Sequence, residues 1–437
     1  MAEAAARGNR FPLDSGQRRN SRVLPKSRYG ETLTPHPLPF WRALLDVLVP
    51  DRSTHAPPRP YLGLSAPYIG DEEIEELLDS IRSGWLTSGP KVDAFQAALE
   101  AYLHAPHVRC LSSCTAGLTI ALRLSGIGPG DEVLVPSLTF VSCANVVEHA
   151  GGRPVLVDSE PETGLIDLDH AASLVTSRTR AVMPVHLAGF PVDLDAVNAF
   201  RDRHGIAVVE DAAHAIGARW QGRPVGSHGN LTAFSFHATK NITTFEGGAL
   251  SVPADAAAER AGRLSLHGLS RSAWARHGST GPAAYEVEEP GFKFSMNDVS
   301  AAVGIHQLAR LDGWIARRAE LADLYDQALQ DLPLDLPPRP PAHARHAHHL
   351  YIVRLRPESR ADRDTVIAHM QEAQIGCSVH FKAIHLYDHY RSRYGLPADA
   401  LPIAKELSAT ALSLPLFPAM TESDVEQVAS ALTRIVA

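Results

Sequence analysis

The chain has 437 residues, of which 45% are hydrophobic, 21% charged and 6% aromatic, a composition that excludes collagen-like, coiled-coil and wholly disordered proteins. Acidic residues outnumber basic ones by 49 to 41, and the net charge of −8 lacks the basic surplus of proteins that bind duplex nucleic acid. The four cysteines form no CxxC pair, which favours a reducing cytoplasm. No apolar run approaches the roughly 20 residues that span a bilayer. We therefore expect a cytoplasmic protein of two or three domains that binds neither nucleic acid nor membrane.

The first 60 residues differ from the rest of the chain. Residues 1–60 contain ten basic and five acidic residues, frequent prolines and little apolar periodicity. Such a segment buries too little apolar surface to offset the entropy lost on ordering, so we expect a flexible N-terminal extension. A transit peptide is the alternative, but the five acidic residues argue against it.

Regular patterning begins at Tyr61. An amphipathic helix that ends at Gly84 is predicted by apolar residues at helical spacing, namely Ile74, Leu77, Leu78 and Ile81. Short apolar runs then alternate with segments of helical length. These runs are VLVP (133–136), PVLVD (154–158), AVMPVH (181–186) and IAVVED (206–211). Their alternation indicates an α/β fold in which a mostly parallel sheet is buried on both faces, with ligands at the carboxyl ends of its strands.

A second, smaller domain is predicted towards the C-terminus. A long helix begins near residue 297, where apolar residues recur at a 3.6-residue period. A proline-rich break, the strand-like LYIVRL segment and two further helices follow. We expect a large domain over residues 61–312 and a small α+β domain over residues 313–437.

Two charged residues follow predicted strands. Asp211 ends the run IAVVED, and Lys240 ends the segment AFSFHATK. A structural ion pair, or two unrelated surface residues, would explain them. Pyridoxal phosphate chemistry is the functional alternative, because it needs a lysine that forms a Schiff base and a carboxylate that keeps the pyridine nitrogen protonated. It also needs a phosphate cup, which the turn SSCTAGL (112–118) at the start of a helix can supply.

From Tyr61 onward the chain resembles the DegT/DnrJ/StrS family of pyridoxal-phosphate sugar aminotransferases. The resemblance rests on nine short segments in the family's order. They are GWLTSGPKVDAFQ (84–96), SSCTAGL, GDEVLVPSLTF (130–140), PVHLAGFPVDLDA (184–196), VVEDAAHAIGA (208–218), AFSFHATKNITTFEGG (233–248), GFKFSMNDVSAA (291–302), VHFKAIH (379–385) and LSLPLFP (412–418). The resemblance implies the type I fold of pyridoxal-phosphate-dependent transferases, which aspartate aminotransferase shares.

The resemblance also assigns roles to the cofactor-binding residues. Lys240 would be the Schiff-base lysine and the group that moves the proton, and Asp211 would pair with the pyridine nitrogen. Thr115 and Ala116 would meet the phosphate through the SSCTAGL turn, and Ser235 would add a hydroxyl.

Two further residues would contact the edge or face of the cofactor. Phe140 would stack on the ring, although an ordinary core aromatic residue would also fit that position. His214 matches a position that contacts the edge of the cofactor or the substrate.

The segment GFKFSMND departs from the commoner family pattern, which has Asn, an aromatic residue and Arg. Here Lys293, Phe294 and Ser295 stand in that segment, and Cys114 stands where many members have glycine. In the family this loop reaches the phosphate of the partner subunit, and a cation at Lys293 suits that anion. The resemblance therefore implies a homodimer with shared sites, while Ser295 puts substrate contacts from this loop in doubt.

Several histidines are candidates for the sugar site. His380 and His385 lie in VHFKAIH, a region that the family uses to line that site, and His186 follows a predicted strand. A structural role fits each of them as well. The histidines of residues 343–349 match no zinc-binding spacing, so we expect loop residues there and no metal site.

The resemblance implies an aminotransferase that acts on a nucleotide-linked keto sugar, with L-glutamate as amino donor, in the synthesis of cell-surface polysaccharide or secondary-metabolite sugars. A cyclitol, another cyclic ketone or an aminobenzoate precursor remains open as the substrate. A related sugar dehydratase would carry histidine in place of Lys240, so this residue argues against dehydration. A regulator without turnover finds no support, since Lys240, Asp211 and the phosphate turn are all present.

Overall fold

A computed structural model describes residues 61–270 and 286–437. The extension predicted for residues 1–60 lies outside this part of the chain. The helices are α1 (Asp71–Ser83), α2 (Pro90–Leu103), α3 (Cys114–Leu124), α4 (Ser142–His149), α5 (Leu168–Ser173), α6 (Leu194–His204), α7 (Asp255–Ser265), α8 (Asp298–Leu329), α9 (Arg363–Glu372), α10 (Asp388–Tyr394), α11 (Pro402–Thr410) and α12 (Glu422–Val436). Among these residues, no helix combines the length and the apolar character needed to cross a bilayer.

The predicted mostly parallel sheet is confirmed. The strands are β1 (His107–Leu111), β2 (Glu132–Pro136), β3 (Arg153–Val157), β4 (Thr179–Val182), β5 (Ala207–Asp211), β6 (Arg219–Trp220), β7 (Arg223–Pro224), β8 (Leu231–Ser235), β9 (Gly248–Val252), β10 (Leu334–Asp335), β11 (Tyr351–Leu355) and β12 (Ala411–Leu414). Seven strands form one sheet in the order β1-β9-β8-β5-β4-β2-β3, in which β9 runs antiparallel to both of its neighbours. The carboxyl ends of β2, β4, β5 and β8 therefore meet at one edge.

The helix α8 contributes side chains to two hydrophobic cores. Leu308 and Leu311 belong to the core around the seven-stranded sheet. Leu321 and Leu329 belong to a second core, which the antiparallel sheet β10-β11-β12 shares with α9 and α12. The predicted boundary at residues 312 and 313 thus falls inside one continuous helix, and the division into two domains stays a prediction.

The predicted helix around residue 77 is confirmed as α1, but its polar side faces the protein. Glu73 and Ser80 are buried, whereas Ile74 and Ile81 keep 44% and 52% of their surface exposed. Glu73 forms an ion pair with Arg310 of α8 and accepts a hydrogen bond from the Gln307 side chain at 2.9 Å. These polar partners on α8, rather than apolar packing, decide which face of α1 is covered.

A buried carboxylate joins the start of α8 to the start of α2. Asp298 is 1% exposed. Its two oxygens accept hydrogen bonds from the backbone N–H groups of Gly89 (2.7 Å), Lys91 (3.1 Å) and Val92 (3.1 Å). These N–H groups belong to the first turn of α2, which has no helical partners for them. Asp298 therefore caps a neighbouring helix from a distance of about two hundred residues in sequence.

We expect Asp298→Ala to lower the free energy of unfolding by about 3 kcal/mol, because several buried N–H groups lose their acceptor together. The control is Asp93→Ala, which removes an exposed acidic residue from the same first turn and should cost less than about 1 kcal/mol. Urea denaturation of both variants measures the difference. Equal losses in the two variants would contradict the capping role.

Candidate active site

A cavity of about 490 Å³ opens where the central strands of the large sheet end. Of the residues predicted from the sequence, the ones that line it are Thr115, Phe140, Asp211, His214, Ser235, Lys240 and His380. Those that do not line it are Ala116, His186, Lys293 and His385. The cavity therefore brings together the predicted lysine, the predicted carboxylate and the start of the predicted phosphate-binding helix.

Asp211 is a buried carboxylate whose hydrogen-bond partners are neutral. It ends β5 and keeps 3% of its surface exposed. The Cys143 thiol lies 3.0 Å from Oδ2, the Cys114 thiol lies 3.8 Å from Oδ1, and the Ala213 N–H donates to Oδ1 at 2.9 Å. Among the described residues, no cationic side chain forms an ion pair with it. A buried carboxylate is costly without a cation, so a protonated pyridine ring in the cavity fits this acceptor.

Lys240 is a half-buried amine in the same cavity. Burial lowers the pKa of Lys240 from its usual 10.5 to about 8, while the negative charge of Asp211 opposes that shift. Within the described part of the chain, Nζ has no hydrogen-bond partner. About a tenth of such amines would be neutral at pH 7. A neutral, unpaired amine is the form that bonds to an aldehyde.

The N-terminus of α3 lies at the cavity, and the backbone of β9 passes close to it. Ser113 caps the helix by accepting the N–H of Ala116 at 3.1 Å, so that amide is already occupied by a protein group. A Cβ at Gly248 would lie 2.4 Å from the backbone N of Cys114, and glycine is therefore needed where β9 passes this turn. Thr115 of this turn and Ser235, from which a hydroxyl was predicted, both line the cavity. A helix start of this kind favours a phosphate.

Phe140 follows β2 and stands at the cavity wall. Its ring is 55% exposed and lies 5.8 Å from the ring of Phe381, at an angle of 47°. A large aromatic face open to a cavity can cover a planar ligand. Its stacking on the cofactor remains a prediction.

Three histidines, which we call the histidine wall, line the cavity beside Lys240: His214, His349 and His380. The rings of His214 and His349 lie 4.5 Å apart, and His380 lies 6.4 Å from His214. Burial lowers the pKa of all three, and the positive charge of Lys240 acts in the same direction. For His380 the pKa falls to about 4. The wall is therefore neutral at pH 7.

His349 was not identified from the sequence as a site residue. The tract of residues 343–349 carries no helical or strand period, and its histidines are typical of a loop. The one available signal is that His349 immediately precedes the LYIVRL segment that forms β11. His346 of the same tract packs its ring against Phe190. Across residues 61–270 and 286–437, no group of three or more potential ligand side chains could hold a metal ion.

Two of the histidines predicted to bind substrate, His186 and His385, do not line the cavity. His186 is fully buried, with Nδ1 accepting the Val192 N–H at 3.1 Å and Nε2 lying 3.0 Å from a Glu210 oxygen. His385 is also fully buried, and its Nδ1 lies 2.7 Å from Ser137 Oγ. These bonds give both rings a structural role beside the sheet and offer no support for contact with substrate.

Lys293 lies outside the cavity of its own chain. Its ammonium donates to Ser295 Oγ at 2.8 Å. If Lys293 contacts a phosphate as predicted, that phosphate does not lie in the cavity of its own chain.

A profile of the DegT/DnrJ/EryC1/StrS aminotransferase family matches residues 67–433. The spore coat polysaccharide biosynthesis protein SpsC of Bacillus subtilis is 43% identical over 379 residues, which cover 86% of this chain and 97% of SpsC.

Two solved structures are similar to this chain over nearly their whole length. Spr1654 of Streptococcus pneumoniae, named a sugar aminotransferase and solved in its PMP form, has a TM-score of 0.80 at 32% identity and covers 85% of this chain and 98% of its own. PseC of Helicobacter pylori, an aminotransferase of pseudoaminic acid biosynthesis, has a TM-score of 0.79 at 25% identity. The match covers 86% of this chain and 99% of PseC.

The matches confirm the predicted type I fold and the predicted pyridoxal phosphate cofactor, since Spr1654 was also solved in its PLP form. The cavity agrees with them, because its lysine, its buried carboxylate and its helix start fit the aldehyde, the ring nitrogen and the phosphate of that cofactor. This chain belongs to the DegT/DnrJ/EryC1/StrS aminotransferase family of pyridoxal-phosphate-dependent sugar aminotransferases.

Proposed function

We propose that this enzyme transfers the amino group of L-glutamate to the ketone of a nucleotide-linked sugar. The observation that carries the proposal is the cavity in which Lys240, Asp211 and the start of α3 meet beside a neutral histidine wall. When bound, pyridoxal phosphate supplies an electron-accepting ring that makes the proton on the amine-bearing carbon acidic. Lys240 would hold the cofactor and then move that proton, for which a pKa of about 8 is well suited. Asp211 would keep the ring nitrogen protonated.

The lining of the cavity supports a sugar as the acceptor substrate. The histidine wall binds through neutral hydrogen-bonding groups, which suit hydroxyls better than charged groups. A smaller cavity of about 60 Å³ shares Leu350 and His380 with the first. A second space thus lies next to the first, on the side of Leu350 and His380. SpsC and PseC, whose names refer to polysaccharide and pseudoaminic acid biosynthesis, suggest a role in cell-surface sugar synthesis.

We also propose a cytoplasmic location. All four cysteines are unpaired in the structure, and three of them are buried. Free thiols fit the reducing conditions of that compartment.

The substrate is tested by supplying the holoenzyme with L-glutamate and a panel of nucleotide-linked 4-keto sugars, nucleotide-linked 3-keto sugars and keto cyclitols. Mass spectrometry of the products should show an amino sugar from at least one nucleotide-linked ketone, and none with Lys240→Ala. Turnover of keto cyclitols alone would replace the proposed substrate with the cyclitol alternative.

Reduction of the holoenzyme with borohydride should attach the pyridoxyl group to Lys240, as peptide mapping can show. Lys240→Ala should keep the fold and lose transamination by several orders of magnitude, because nucleophile and proton carrier disappear together. Lys405→Ala, which changes an exposed lysine outside the cavity, is the control and should retain full activity. A label on another lysine would contradict the assignment.

Asp211→Asn should still bind the cofactor but lower kcat by at least about a hundredfold, because a neutral amide cannot hold the ring nitrogen protonated. Cofactor absorbance measures occupancy, and stopped-flow kinetics with L-glutamate measures the rate. Near-normal turnover at full occupancy would show that another group serves the ring nitrogen.

We further propose that the active unit is a homodimer in which each chain completes its partner's site. Lys240 is the one lysine or arginine among the described residues that line the cavity, although a phosphate and a dicarboxylate donor both call for cations. Lys293 lies outside that cavity. The exposed Ile74 and Ile81 of α1 add apolar surface of the kind that subunit contacts cover. A two-fold axis would serve both sites with one interface.

Mixing two inactive variants tests shared sites. In a mixed dimer of Lys240→Ala and Lys293→Glu, one site receives both changes and the other receives neither. After subunit exchange in equal amounts, about a quarter of all sites should recover. Lys293→Glu must first prove folded and inactive by itself. No recovery, with subunit exchange verified by mass spectrometry, would contradict the shared site.

A further inference from the structure

His349 is a buried side chain of the histidine wall that is held firmly through its backbone. It keeps 5% of its surface exposed and lines the main cavity. Its backbone N–H donates to the carbonyl oxygen of Ala188 at 2.9 Å. Its carbonyl oxygen accepts from the buried guanidinium of Arg318 at 3.3 Å. The position of the imidazole is therefore set by two neighbouring segments.

The tautomer of His349 is determined by Asn241. The side-chain N–H₂ of Asn241 donates to the carbonyl oxygen of Ala347 at 2.7 Å, which fixes the orientation of the amide. Its Oδ1 then faces His349 Nδ1 at 3.2 Å. An amide oxygen can only accept, so Nδ1 must carry the proton. In a neutral imidazole the other nitrogen, Nε2, is then an acceptor.

The remaining nitrogen of His349 faces the cavity. Nδ1 is engaged by Asn241, which does not line the cavity, whereas His349 itself does, so Nε2 is the ring nitrogen left available to the cavity. Within the described part of the chain, Nε2 has no hydrogen-bond partner. Burial lowers the pKa of His349 well below its usual value, and the positive charges of Lys240 and Arg318 lower it further. A neutral acceptor without a protein partner, on a side chain that lines the cavity, favours a ligand that donates a hydrogen bond.

His214 places a donor next to this acceptor. Nδ1 of His214 accepts the Ala188 N–H at 3.2 Å, so the proton of the neutral ring is on Nε2. The two rings lie 4.5 Å apart. A hydroxyl both donates and accepts, and can therefore use both nitrogens. A carboxylate or a phosphate dianion only accepts and would face the lone pair of His349.

We infer that His349 binds a hydroxyl of the ketone-bearing ring by accepting its hydrogen bond at Nε2, with His214 Nε2–H as the neighbouring donor. This inference rests on the proposed function, because it places the substrate ring in the same cavity. It assigns the histidine wall to the recognition of a neutral, hydroxylated ring rather than of the amino donor.

The first test separates the two halves of the reaction in the holoenzyme. His349→Phe should raise KM for the accepted keto sugar by about ten- to a hundredfold, since one hydrogen bond to a buried group is lost. The rate with L-glutamate alone should change by less than about threefold. His343→Phe is the control, because His343 belongs to the same tract, packs its ring against Trp220 and lines neither cavity. Equal losses in both half-reactions would overturn the inference.

The second test needs no nucleotide. Holoenzyme preloaded with the amino group reacts with inosose, a polyhydroxylated cyclohexanone, and with plain cyclohexanone. His349→Phe should lower kcat/KM for inosose by at least about tenfold and leave cyclohexanone within about threefold. If this loss occurs while no nucleotide-linked sugar is turned over, the proposed function fails and the inference holds. If a nucleotide-linked sugar is turned over equally well by wild type and His349→Phe, the inference fails and the proposed function holds.

A third measurement avoids mutation altogether. Nitrogen-15 NMR of histidine-labelled holoenzyme at pH 7 should show His349 as the neutral tautomer with its proton on Nδ1. A proton on Nε2, or a charged ring, would overturn the inference whatever the kinetics show, because the cavity would then hold a donor in place of the acceptor.

Discussion

The buried carboxylate of Asp211 is the constraint on which the rest of the site depends. It is held at the end of a central strand by two thiols and one backbone amide, none of which neutralises it. Thiols are weak donors, so the carboxylate keeps most of its negative charge. A cationic ring in the cavity would stabilise that charge. The fold would thereby couple a buried carboxylate to the binding of the cofactor.

The charge of Lys240 has the opposite effect on its neighbours. Lys240 and burial together keep the three histidines of the wall neutral. The charged side chains of the described lining are therefore Lys240, Asp211 and the exposed Glu246. The neutral histidines of the wall can select a ligand only by which of its groups donate and which accept hydrogen bonds. Such a division suits an enzyme that must accept an amino acid and a sugar in one cavity.

The helix α8 connects this chemistry to the fold. Its first half packs on the large sheet and its second half on the small one. Between them, the buried Arg318 donates to the carbonyl oxygens of His348, His349 and Leu416, which lie in two separate segments of the C-terminal region. One side chain thus holds part of the cavity wall to the helix that spans both cores. The long helix is visible in the sequence, but the three carbonyl groups that Arg318 binds are not.

The sequence by itself determined the parallel sheet, the long helix and the placing of Lys240 and Asp211 with the turn that begins α3, because these depend on local periodicity and on motifs in a recognisable order. Tertiary structure alone decided the rest. The period of α1 predicts a helix but not that Glu73 faces the protein, which follows from polar partners on α8 more than two hundred residues away. The sequence makes His186 a candidate for the site and assigns His349 to a loop. Hydrogen bonds to distant backbone and side-chain groups bury one beside the sheet and turn the other towards the cavity.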